Sequence, residues 1–167
     1  MAIDLPHLPN PAAWFAHRDS AKPKVERRQI GQWRLEVVRD PFTGKTRCEL
    51  KAKGMAYGPA AMTFRFTAHT DTFAAVYKID DGPAVPWRAN AMTLASRGVA
   101  LQTDSLTNPS GGRVFVPTAA LTGAQSVTIR TSPTAPTRTY HLDDLPTALA
   151  AAQSSGCTSD FKAAISE

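Results

Sequence analysis

The chain has 167 residues, 43% hydrophobic and 20% charged, with a formal net charge of +5. A chain of this size buries roughly 70% of its unfolded surface as a single domain, needs no metal or cofactor to fold, and has too balanced a composition for a disordered or fibrous protein. No stretch approaches the roughly 20 apolar residues that a membrane-spanning helix requires, and no fixed internal period marks a repeat array.

The positive charge is uneven. Residues 1–53 hold 11 Lys/Arg against 6 Asp/Glu, and residues 54–167 hold 8 against 8. A basic arm can bind phosphates through counterion release. Here the cations form no run and do not alternate with stacking aromatics, so a solvated strand face is the plainer reading and nucleic acid is disfavoured as a partner.

Residues 1–11, with Pro6, Pro9 and Pro11, lack the charged and apolar regions of a signal peptide. They read as the extended start of a mature protein whose export signal has been removed. Residues 10–16 have Asn10 as a cap and Pro11 at the first helical position, which predicts one or two helical turns. Polar, basic residues 18–29, interrupted by Pro23, read as a linker. The expected organisation is an arm over 1–29, one domain over 30–160 and a tail over 161–167.

From Trp33 the period becomes two: Trp33, Leu35 and Val37 alternate with Arg34, Glu36 and Val38, as in a half-buried strand. Asp40-Pro41-Phe42-Thr43-Gly44 supplies turn chemistry, and Thr46–Ala52 returns as the partner strand carrying Cys48. Residues 61–67 and 72–79 predict a second hairpin about His69-Thr70-Asp71. Asp80-Asp81-Gly82 then ends the strand with residues that tolerate positive φ. Further strands are expected at 91–95, 99–103, 113–116, 126–131 and 138–142, with a helical turn at 117–121.

A helix is expected over 144–154. Asp143 or Asp144 would cap it, Pro146 sits in its first turn, Leu145, Ala148, Leu149 and Ala152 make one stripe, and Gly156 ends it. The fold class is therefore mainly β: an antiparallel sandwich or open barrel of about eight to nine strands with one C-terminal helix.

Cys48 and Cys157 cannot hold zinc alone and lie in no CxxC or nucleophile signature. A disulfide or two buried thiols remain, and the disulfide is favoured because it would pin the last helix to the sheet. It would also place the protein in an oxidising compartment.

Candidate sites are few. His69 and Asp71, like His141 and Asp143, stand two apart and could begin a metal site or orient a base, although turn and cap duties explain both carboxylates. Asp80-Asp81-Gly82 lacks the spaced carboxylates of a calcium loop. Ser110-Gly111-Gly112 has no following helix to complete an anion site. No GxSxG, HExxH or Walker-type signature occurs, and no cofactor is expected. Trp87 and Arg88 are residue types enriched at binding hot spots, so Asp80, Asp81, Trp87 and Arg88 make the candidate binding surface, with an apolar patch expected around Trp87; the alternative for Trp87 is core packing.

Trp33 opening a strand, the Arg39–Gly44 turn, Tyr77-Lys78-Ile79-Asp80-Asp81-Gly82-Pro83 before Trp87, and a closing Leu-Asp-Asp-Leu helix ending in Cys resemble a bacterial envelope pattern. The layout is similar to the type VI secretion accessory proteins called VasI or TagO and, more faintly, to the invasion-associated locus B proteins, over residues 30–157. Lys78 stands where Arg is usual, and no mid-domain cysteine pairs with Cys48. The resemblance implies a non-enzymatic periplasmic β-sandwich that contacts an envelope protein or cell-wall component. The residues leave two rivals, a small-ligand or lipid-binding sandwich and an unfamiliar hydrolase using His69 or His141.

Overall fold

A computed structural model describes residues 22–97 and 111–157. In chain order the elements are β1 (Lys24–Ile30), β2 (Trp33–Arg39), β3 (Thr46–Ala52), β4 (Met55–Ala56), β5 (Ala61–Arg65), β6 (Val76–Ile79) and β7 (Val85–Pro86). A 3₁₀ turn at Trp87–Asn90 leads into α1 (Ala91–Ser96). β8 (Arg113–Pro117), a second 3₁₀ turn at Thr118–Leu121, β9 (Ser126–Arg130), β10 (Arg138–His141) and α2 (Leu145–Ser154) follow.

All pairings are antiparallel. One sheet has the order β1-β2-β3-β4-β5-β8 and the other β10-β9-β6-β7. The result is a mainly β sandwich of ten strands with no closed barrel among the described residues, two strands of which are only two residues long.

The alternating pattern of β2 and β3 produces the expected inner face. Trp33, Leu35, Val37, Cys48 and Leu50 are all buried. Val37 pairs with Cys48 and Leu35 with Leu50 in register. Ala148 and Ala152 of α2 are buried in the same core, and small residues there let the helix approach the sheet closely. The Trp33 indole N–H donates to the Asp143 carbonyl at 2.8 Å, which ties the start of β2 to the entrance of the helix. Cys48 and Cys157 form a disulfide with a Cα–Cα distance of 5.9 Å, so the favoured pairing is observed.

Four expectations need correction. Residues 24–29, read as linker, belong with Ile30 to a strand paired with β2 along its whole length, from Lys24 opposite Arg39 to Ile30 opposite Trp33. Its side chains are mostly solvent-facing on both sides, which erases the alternation that would have marked it.

The expected hairpin between residues 61–67 and 72–79 does not form: β5 pairs with β4 and β8, whereas β6 pairs with β7 and β9 in the other sheet. The chain crosses between sheets at Thr72, whose side chain donates to the Arg113 carbonyl at 3.0 Å.

Residues 91–95 are helical, not extended. Ala, Met and Leu are good helix formers, and in α1 Leu94 is fully buried while Met92 is 88% exposed. Asp144 occupies the N-cap position of α2 without a side-chain cap bond, in a left-handed conformation with φ of 63°. The expected helix at 10–16 and strand at 99–103 lie outside the described residues.

Candidate functional site

Beside the first turn of α2 lies a groove of about 550 Å³. Its apolar lining includes Leu121 of the second 3₁₀ turn and Leu142, Leu145 and Leu149 at and within α2, above the fully buried Met62 of β5. Tyr57 and the loop from Thr122 to Gln125 form another wall, and Asp143 with Asp144 supplies the charged residues of the lining. Its size falls within the roughly 300–1,000 Å³ typical of small-ligand sites.

Backbone and hydroxyl bonds fix the walls. The Thr118 hydroxyl donates to the Gly58 carbonyl at 2.6 Å, and the Thr118 N–H to Ala60 at 3.1 Å, so the 3₁₀ turn is fastened to the loop before β5. The Leu142 N–H donates to the Gln125 carbonyl at 2.8 Å, which joins the loop to the entrance of α2. Burial pushes the Tyr57 phenol above its ordinary value, favouring the neutral form.

Asp80 belongs to this scaffold. With φ of 48° it turns its carboxylate onto the Ser126 N–H at 2.8 Å and the Gln125 N–H at 3.0 Å. These bonds set where the groove loop enters β9. A side chain singled out for surface binding thus has a positioning task, while Asp81 is exposed at the hairpin turn.

Trp87 does not make the apolar surface patch expected of it. It is 4% exposed, its ring centre lies 5.9 Å from that of Phe115, and its indole N–H donates to the Thr72 carbonyl at 2.6 Å. A large apolar ring with a satisfied polar atom is stable inside, which is the core reading. Arg88 is exposed and stacks over Phe73 at 3.6 Å, shielding part of that ring.

His69 and His141 are exposed, and neither lines the groove. Asp71 accepts the Phe73 N–H at 2.8 Å, a turn bond. Among the described residues no group of three or more His, Cys, Asp or Glu could hold a metal ion. No described helix is long and apolar enough to cross a membrane. Gly112 packs so closely on the Thr67 carbonyl that any side chain would collide with it, so its place in the Gly-rich segment serves packing.

The chain matches no protein-family model, no curated protein and no solved structure. The groove was not legible in the sequence because its lining comes from four separated segments. Leu145 and Leu149 stand out in the sequence only as part of a core-facing stripe, Asp144 only as a candidate cap, and Asp143 as a candidate cap or the partner of His141.

Proposed function

We propose that this chain is an exported, non-catalytic binding protein of the bacterial envelope, which takes an amphipathic segment of an envelope protein into the groove beside α2. The groove itself carries the reading: an apolar trough whose lining includes Asp143 and Asp144 suits an apolar side chain next to a basic one. The Cys48–Cys157 disulfide supports a periplasmic or secreted location, because such bonds persist in oxidising compartments. The resemblance to type VI secretion accessory proteins belongs to the same proposal and rests on the motifs alone.

A small ligand or lipid in place of a protein segment is the second reading, favoured by the groove volume. Site-specific photocrosslinking in cells exporting the chain separates these. A photoreactive side chain at Thr122, on the groove wall, should give a discrete protein adduct that Leu149→Arg removes. The same group at exposed Thr139 should give none. A low-mass adduct at Thr122 would favour the small-ligand reading. An adduct indifferent to Leu149→Arg, or no adduct, would overturn the groove as the binding site.

A further inference from the structure

The turn between β2 and β3 presents Phe42 to solvent at 94% exposure. A single exposed apolar side chain is ordinary; its setting here is not. The turn is closed by the Gly44 N–H to Asp40 carbonyl bond at 2.8 Å and the Asp40 N–H to Lys45 carbonyl bond at 2.9 Å. The Asp40 carboxylate also accepts the Phe42 N–H at 2.9 Å and the Thr43 hydroxyl at 2.8 Å. Gly44, with φ of +68°, meets the conformational demand of the turn. None of these bonds uses the Phe42 ring, so a rigid support displays it.

Cations surround the same end. The register sets Lys24 opposite Arg39 and Arg39 opposite Thr46, so the start of β1, the end of β2 and the start of β3 lie together. Lys22, Lys24, Lys45 and Arg47 are exposed there and make no salt bridge among the described residues. Among the described residues the nearby anions are engaged. Glu26 bonds Arg28 at 2.7 Å and Arg39 at 3.1 Å, and Asp40 faces into its own turn.

We infer that this hairpin end docks on an anionic lipid surface, with Phe42 entering the interfacial layer and Lys22, Lys24, Lys45 and Arg47 meeting lipid phosphates. A projecting ring on a convex tip offers too little buried area for a stable protein interface. It suits shallow insertion, where one apolar side chain and several cations act together. The inference does not depend on what occupies the groove.

The test is cosedimentation of the full, disulfide-bonded chain with vesicles of phosphatidylcholine containing phosphatidylglycerol, against vesicles of phosphatidylcholine alone. The chain should partition onto the anionic vesicles and leave them as salt screens the charges. Phe42→Ser should weaken partitioning about tenfold. Lys24→Gln, Lys45→Gln and Arg47→Gln together should abolish it, while Met92→Ser, at an exposed site on α1, should retain it. Equal partition onto both vesicle types, or Phe42→Ser binding like the parent, would overturn the inference. Phe42→Trp gives a second readout: its emission should shift to the blue on anionic vesicles, and an unchanged spectrum would also refute insertion.

Discussion

The two ends of the six-stranded sheet differ in how many faces they bury. In β2 and β3 one face is core and the other carries Arg34, Glu36, Arg47, Glu49 and Lys51 to solvent or part-exposed positions. In β5 and β8 both faces are covered: Met62, Phe64, Val114 and Val116 lie on one side, and Thr63 and Phe115 on the other. The second covering comes from Trp87, which leaves the smaller sheet after β7 and returns over Phe115. At the β1–β3 end α2, joined to β3 through the Cys48–Cys157 disulfide, packs with β2 in the core on the one apolar face, whereas at the β5–β8 end both faces are buried.

Removing the disulfide should break this comparison most. Cys48→Ala with Cys157→Ala opens a closure of 109 residues, which on the chain-entropy account costs about 4–5 kcal/mol. The loss should concentrate where α2 meets β2. Urea unfolding gives the total, and amide exchange should show α2 opening before β5 and β8. Simultaneous opening of both ends would contradict the division.

A matched pair of substitutions sharpens the same contrast. Phe115→Ala, on the second face of β8, should destabilise by about 3–5 kcal/mol, the range for truncating a buried aromatic. Val38→Ala, on the solvent-side face of β2, should cost less than about 1 kcal/mol. Equal effects in denaturant titrations would mean that the covering by Trp87 contributes little.

This contrast also explains what the sequence could disclose. β2 and β3 were legible because one-sided burial writes a period of two, and the β2–β3 turn was legible from Asp40, Pro41 and Gly44. β8, β9, β10 and α2 were found near their observed limits. The hairpin about His69 was misread because β5, buried on both faces, and β6, in the other sheet, each read simply as strands. Nothing local states which partner a strand will choose. β1 was missed for the opposite reason, having almost no buried face. For Trp87 and Asp80 residue type alone could not separate the roles, since large aromatics and positive-φ aspartates serve packing and loop fastening as readily as binding.

The smallest expected effect lies in the β2–β3 turn itself. Thr43 hydroxyl donation, followed by the Phe42 N–H, holds the Asp40 carboxyl below its ordinary value of 3.8. A carboxyl whose folded pKa is depressed contributes stability that is present above its unfolded value and is lost as pH falls through the folded one. Asp40 should therefore hold the turn at neutral and mildly acid pH and release it with a midpoint below its ordinary value. An NMR titration of the Asp40 carboxyl and the Phe42 amide should show both moving together below that value. Asp40→Asn should remove the shared transition. A midpoint at or above 3.8 would show that the carboxylate does not hold the turn, and Phe42 would then sit on a loose loop instead of a rigid tip.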